Sequence, residues 1–451
     1  MTATEENTRQ RWISNLLVSV ACLIAVISLF GCSAAVEQPL LTVPRQSLNL
    51  ESFEYIWTTI RDQHYDPSFG GLDWQAVHDE LRPEMENAQT MMEARTIMHE
   101  MISRLKLSHF SIIPGNLYEN MDKSALQDAE PGVTGIDIRL IDDQVIVTRV
   151  EAGQPADKYG VRPGWQIVRI GKEDLSERVK LLAQAFESKA ELNSIVTSRM
   201  KSRLTGISGD TIPVEFLDGN NKRVKLKIPL ARQKGHKFKL GYLPTFYVWI
   251  KVKEIKPAIG YISFNAFFDP INVMPVYNKA MESFMENNGL IIDLRGNPGG
   301  MLGMVSGMIS WLISEKNQIL GTMYLRDNTL KTVINPRGIT YSGPVAVLID
   351  GLSASSSEIF AGGLQDLGRA RIFGEPSAGA ALLSNIVSLP NGDFFQYAIA
   401  NYRLFSGKEL EGKGIQPDVL VRPSRKALLE GRDPALEAAV AWIKGQSRPA
   451  G

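Results

Sequence analysis

An α/β architecture is predicted by three features of this 451-residue chain. Apolar runs at residues 260–267, 289–293, 345–349 and 371–373 read as strands, and they alternate with helical periodicity at 273–286 and 304–313, the pattern of a layered core. Two of these strands run into turns of small residues, Gly296-Asn297-Pro298-Gly299-Gly300 and Ser353-Ala354-Ser355-Ser356-Ser357-Glu358, each followed by a helical segment. Upstream the character changes twice, from helical spacing at 48–107 to strand-like spacing at 132–230, so two to three domains are expected.

The amino terminus reads as a leader. Arg9 and Arg11 precede an apolar run at 16–30, and small residues follow at Gly31-Cys32-Ser33-Ala34-Ala35, the layout of a secretory signal. Leu29-Phe30-Gly31-Cys32 resembles the lipobox of bacterial lipoproteins, which implies lipidation of Cys32 and an exported, membrane-anchored protein of the bacterial cell envelope. Phe30 is bulky for that position, and an uncleaved signal anchor is the alternative. These features divide the start of the chain into a leader at 1–32 and a tether at 33–47. The only other cysteine, Cys22, lies in the apolar run, so the body has no disulfide and no thiolate metal site.

From 48 to 127 a helical domain is expected. Phe53, Ile56, Trp57 and Ile60, and later Ile97, Met98, Met101, Ile102 and Leu105, recur at three and four residues, interrupted by Pro67-Ser68-Phe69-Gly70-Gly71. A β-rich domain is expected at 128–232, with strands at 132–140 and 144–150 split by Asp142-Asp143 and a closing hairpin at 212–230 that turns at 218–221. The order of strand, Pro155-Ala156 helix start and Gly160-Val161-Arg162-Pro163-Gly164 turn resembles a PDZ domain, with Trp165 where that family usually has aspartate. The resemblance implies that Gly135, Ile136, Asp137 and Ile138 take an extended peptide as an added strand and hold its terminal carboxylate. An ordinary bulged strand is the alternative. Residues 236–446 form the α/β core.

In that core, a serine at a strand end beside the unpaired N–H groups of a helix start is placed to make and hold an acyl oxyanion. Ser355-x-x-Glu358 also fits a capping box, in which the serine only satisfies the helix. The glycine loop lacks the Lys-Ser or Lys-Thr of a phosphate loop. It offers N–H groups at Gly300 or Gly299 that, with Ser356, suit an oxyanion hole for a nucleophile at Ser355.

The blocks Asp293-Leu294-Arg295-Gly296-Asn297-Pro298-Gly299-Gly300, Ser353-Ala354-Ser355-Ser356-Ser357-Glu358-Ile359 and Gly374-Glu375-Pro376 resemble those of the carboxyl-terminal processing, or tail-specific, serine peptidases. The resemblance implies a crotonase/Clp-like core with Ser355 as nucleophile acting on polypeptides. One departure stands out: Ala380 occupies the position of that family's lysine base, and Ser384 that of its supporting glutamine. Leu107-Ser108-His109 resembles instead the Ser-His segment of the tricorn-type branch, which implies His109 as base, oriented by Ser108 and by a glutamate, Glu411 with Glu409 as the neighbouring alternative. A structural histidine packed among Leu107, Phe110 and Ile112 is the other reading.

Composition excludes several classes. Lys and Arg total 49 and so do Asp and Glu, so the charge balance gives no nucleic-acid signal. His99-Glu100 lacks the second histidine of a zinc-peptidase helix, and neither metal nor cofactor is expected. Two other functions fit the same residues, an inactive peptide-binding scaffold and an esterase using the same serine.

Overall fold

The computed structural model describes residues 43–115, 130–185, 189–243, 245–255 and 258–446. The leader at 1–32 and Cys32 lie outside them. The tether expected at 33–47 gives way to a helix at Val43–Gln63, which begins with a proline in its first turn, where the missing N–H costs nothing. Two more helices follow, Trp74–Asn87 and Met91–Ser103. Asp73 accepts the N–H of Ala76, and Thr90 with Glu93 closes a capping box, so both starts are satisfied by side chains.

These helices do not bury their apolar faces against one another alone. Phe53, Ile56, Val77, Leu81, Met98 and Met101 share one cluster with Phe395, Tyr397 and Ala398 from a strand almost three hundred residues later. The short strand Ser111–Ile113 is also inserted there, antiparallel to Phe394–Leu404, with Ser111 opposite Gln396. This pairing fixes where Ser108 and His109, the residues just before it, emerge over the core. Phe394–Leu404 belongs to a five-stranded antiparallel sheet with Gln318–Leu325, Thr329–Ile334 and Leu383–Ser388. None of these strands was anticipated from the sequence.

The β-rich segment forms a sheet in the order Ile136–Ile141, Gln144–Val150, Gln166–Ile170, Thr211–Leu217, Arg223–Pro229. Asp142 and Asp143 both have positive φ, 49° and 57°, which suits the tight hairpin expected at that point. The closing hairpin pairs residue for residue from Thr211 opposite Pro229 to Leu217 opposite Arg223. Residues between the strands supply two helices, Leu175–Ala185 and Lys189–Arg203. Trp165 packs edge-on to Phe216 at 5.7 Å.

The core sheet has six strands in the order Ile250–Ile255, Ile259–Phe264, Gly289–Asp293, Val345–Ile349, Arg371–Gly374, Val419–Leu420. The first pair is antiparallel and every other pair parallel. Gly289–Asp293 and Val345–Ile349 are buried along their whole length, as strands covered on both faces must be. Ligand sites in open parallel sheets lie beyond the carboxyl ends of the strands. The segments that leave those ends here are 294–300, 350–355 and 375–380.

Asp393 anchors the helical layer. It is 1% exposed and accepts both Nε and Nη2 of Arg95 at 2.9 and 2.7 Å, together with the N–H of Gly115 at 2.9 Å. Asp393→Ala is expected to lower stability by about 2 kcal/mol, because it removes the partner of both the half-buried Gly115 N–H and the Arg95 guanidinium. Urea denaturation measures this through a lower midpoint with an unchanged slope.

Candidate active site

Ser355 stands at the tip of the turn between Val345–Ile349 and the helix Ser356–Asp366, with φ 54° and ψ −120°. A non-glycine residue at such angles is strained and needs surroundings that over-determine it. Those surroundings are visible one bond at a time. Ser353 Oγ donates to Leu294 O at 2.8 Å and accepts Asp350 N–H at 3.0 Å. Asn297, fully buried, accepts Ala354 N–H at 3.1 Å and Ser357 Oγ–H at 2.8 Å on its backbone oxygen. Ser356 Oγ donates to Gly300 O at 2.7 Å. The serine turn and the glycine loop are therefore stitched into one body.

The glycine loop needs its glycines for space. A Cβ on Gly299, whose φ is +99°, would stand 2.7 Å from Ala354 O and 2.8 Å from both Ser355 Cβ and Ser356 N. The N–H of Gly299 is taken by Asn297 Oδ1 at 2.9 Å. Of the two glycine donors expected from the sequence, Gly300 is the one with no acceptor among the described residues, as is Ser356 N–H at the helix start.

Glu358 completes the helix start in a way that leaves the serine hydroxyl unspent. Its own N–H goes to Ser355 O at 2.8 Å, and its carboxylate accepts Ser355 N–H at 3.0 Å. The same buried carboxylate accepts Ser377 Oγ–H at 2.6 Å, Gly379 N–H at 2.8 Å and Ala380 N–H at 2.9 Å. Burial pushes its pKa up to about 7 against these hydrogen bonds.

Ser108, His109 and Glu411 are joined directly. Ser108 Oγ lies 2.7 Å from His109 Nδ1 and 2.9 Å from Glu411 Oε2, and Ser108 N–H donates to Glu411 Oε1 at 2.7 Å. A hydroxyl has one proton; donated to the carboxylate, it leaves a lone pair to accept Nδ1–H, so Nε2 carries the free lone pair. Burial lowers the His109 pKa to about 4 and raises that of Glu411. The imidazole is neutral near pH 7. Glu409 lies elsewhere, bonded to Asn401 at 2.6 Å and Lys413 at 3.3 Å.

No hydrogen bond joins Ser355 Oγ to His109 among the described residues. The two halves meet through one peptide group. Ala380 O accepts Ser355 N–H at 2.8 Å, and the N–H of the next residue, Ala381, donates to Glu411 Oε2 at 3.0 Å. The backbone at 380–381 thus holds Ser355 on one side and the Glu411–Ser108 pair beside His109 on the other.

The four residues expected to bind peptide lie on the edge strand Ile136–Ile141 and just before it. Gly135, with φ +81°, accepts Glu151 N–H on its carbonyl. Asp137 is ringed by Arg139 at 3.1 Å, Lys201 at 2.9 Å and Arg149 at 3.4 Å. The backbone of that strand is partly occupied by side chains of the same chain: Ile138 O accepts Arg139 Nη1–H at 2.7 Å and Leu140 N–H goes to Asn193 Oδ1 at 3.1 Å. Arg139 also reaches Asp350 with two bonds of 2.9 and 2.7 Å, and Asp350 accepts Gly296 N–H at 2.8 Å. A cavity of about 260 Å³ runs from Thr134, Gly135 and Asp137 to Gly296 and Pro298.

Sequence reasoning reached Ser355, His109, Ser108 and Glu411, which this fold brings together around residues 380–381. It missed Asn297, Ser377 and Arg139, and it read Glu358 only as a cap. The signal for Glu358 was its position three residues after the serine; nothing local announces its bonds to 377–380.

Two family models match, peptidase family S41 over residues 258–421 and the tricorn protease C1 domain over residues 49–103. A carboxyl-terminal-processing protease of Synechocystis is 24% identical over 405 residues, covering 86% of this chain and 84% of the relative. The carboxy-terminal processing protease CtpB of Bacillus subtilis is 24% identical over 292 residues, covering 64% of this chain and 55% of the relative. In fold, the photosystem II D1 C-terminal processing protease aligns with TM-score 0.56 and 19% identity over 88% of this chain and 99% of its own. Mature CPAF, solved with lactacystin, aligns with TM-score 0.59 and 13% identity over 89% of this chain and 98% of its own. Residues 258–421 are thus a domain of the serine-type peptidase family S41, and residues 49–103 before it a domain of the tricorn C1 type, in a chain whose curated relatives include carboxyl-terminal-processing proteases.

Proposed function

We propose that the chain is an exported, lipid-anchored serine endopeptidase in which His109 takes the place of a lysine base. The observation that carries this reading is the Ala380–Ala381 peptide group, bonded to Ser355 on one side and to the Glu411–Ser108–His109 relay on the other. His109 Nε2 removes the proton from Ser355 Oγ as that oxygen attacks a peptide carbonyl. The carbonyl oxygen gains the electron pair and is held by the N–H groups of Ser356 and Gly300. His109 then returns the proton to the leaving amine, and water repeats the sequence on the acyl-enzyme. Glu411, through Ser108, fixes the tautomer and supports the imidazolium when it forms. The Ser355–His109 contact tightens when substrate fills the space between them, as catalytic hydrogen bonds commonly do.

The substrate enters as a polypeptide whose C-terminus docks on the PDZ-like domain at Gly135–Ile138. Support comes from the cavity shared by that strand and the glycine loop, which gives a bound tail a route as far as Gly296 and Pro298. The tail displaces Arg139 and Asn193 from the backbone of Ile136–Ile141 as it adds its own strand. Export and anchoring rest on the leader and the lipobox-like Cys32. No helix among the described residues is long and apolar enough to cross a membrane.

Three outcomes test these assignments. Ser355→Ala and His109→Ala each lower kcat on casein by about 10³-fold or more while circular dichroism stays native; wild-type turnover in His109→Ala removes the histidine from the mechanism. Amidating the C-terminus of a peptide substrate raises KM with kcat nearly unchanged, and equal KM for acid and amide contradicts carboxylate capture. Cells fed a clickable fatty acid label the wild type and not Cys32→Ala; equal labelling excludes lipidation at that cysteine.

A further inference from the structure

We propose that Glu358 is a positioning residue whose ionised carboxylate assembles both halves of the active site, so that its protonation rather than that of His109 sets the acid limit of activity. This rests on the Ser355–His109 mechanism above. Four donors converge on one buried side chain: Ser355 N–H, Ser377 Oγ–H, Gly379 N–H and Ala380 N–H. The first belongs to the nucleophile in its strained turn. The last two hold the segment that turns the carbonyl of Ala380 toward Ser355 and the N–H of Ala381 toward Glu411. Ser377 ties the same segment to the loop that follows Glu411, because its Oγ also accepts Ile415 N–H at 2.6 Å.

A carboxylate can accept all four bonds, whereas a carboxylic acid must turn one oxygen into a donor facing an N–H or O–H. Protonation therefore either opposes a backbone N–H or turns the Ser377 hydroxyl round to accept, in both cases costing one of the four bonds that hold the 377–380 segment to the serine turn. The charged groups on neighbouring elements do not relieve this conflict. Asp350, Glu375, Arg371, Arg403, Glu411, Lys413 and His109 form no hydrogen bond or ion pair with the Glu358 carboxylate. Burial without a counter-charge moves the Glu358 carboxyl up to about 7 and the His109 imidazole down to about 4, so the carboxylate titrates first as pH falls.

The sign follows from which form is competent. Glu358 is needed ionised, so activity is present above its pKa and lost as pH falls through it, while His109 is still neutral. The test is kcat/KM on casein-derived peptides between pH 4.5 and 9 for the wild type, Glu358→Gln and Ser377→Ala. The wild type should lose activity on a limb near pH 7. Glu358→Gln should show kcat about 10²-fold lower at pH 8, KM within about twofold, and no limb between pH 5 and 8. Ser377→Ala removes a bond that favours the carboxylate, so its limb should move to higher pH. This second variant keeps the proposal testable if Glu358→Gln does not fold.

A wild-type limb below pH 5, or one that stays in place in whichever variants fold, overturns the role of Glu358 and leaves the serine mechanism standing. Absence of hydrolysis by the wild type at every pH overturns the peptidase mechanism, and the proposal with it.

Discussion

Everything at this site depends on the peptide group between Ala380 and Ala381. Its carbonyl accepts the N–H of Ser355 and its N–H donates to Glu411, whose carboxylate holds Ser108 and through it His109. A lysine at position 380 would have placed a base beside the serine from the same loop. With alanine there, the loop contributes only backbone, and the histidine joined to it through Glu411 and Ser108 comes from a segment more than two hundred residues earlier. The constraint is geometric, since a single planar group cannot move one partner without moving the other.

Three layers of the fold serve that constraint. Parallel strands deliver the glycine loop, the serine turn and the 375–380 segment to one end of the sheet. The antiparallel pairing of Ser111–Ile113 with Phe394–Leu404 brings His109 to the same place, and the bidentate Arg95–Asp393 pair holds the helical layer against those strands. Arg139 closes the third side by joining the β-rich domain to Asp350 and thereby to Gly296. The strain at Ser355, with φ 54°, is held by bonds from the glycine loop, Glu358 and the 377–380 segment.

The parts legible in the sequence are those written in local patterns. The apolar runs and small-residue turns of the core identify its parallel strands. The substitution of alanine for lysine, read beside Ser108-His109, points to the histidine and to the glutamate at 411. What was not legible depends on long-range pairing. The strands Gln318–Leu325 and Thr329–Ile334 carry weak alternation, with Gly321 at an irregular register, and declare themselves only by pairing within the second sheet. Glu358 matches a capping box because its carboxylate takes the N–H of Ser355, the carboxylate half of such a box, and its other three bonds come from residues that no spacing rule connects to it. The competition between Gly299 and Gly300 as donors is likewise decided by a side chain, Asn297 Oδ1, that takes one N–H and leaves the other.

The central claim is that Ser355 is a nucleophile activated by His109. The most direct measurement is reaction of the purified protein with a fluorophosphonate, followed by mass spectrometry of its proteolytic fragments. The account predicts one phosphonate adduct, on Ser355, formed at a rate that falls sharply in His109→Ala. No adduct, an adduct on another serine, or an unchanged rate without the histidine would contradict it.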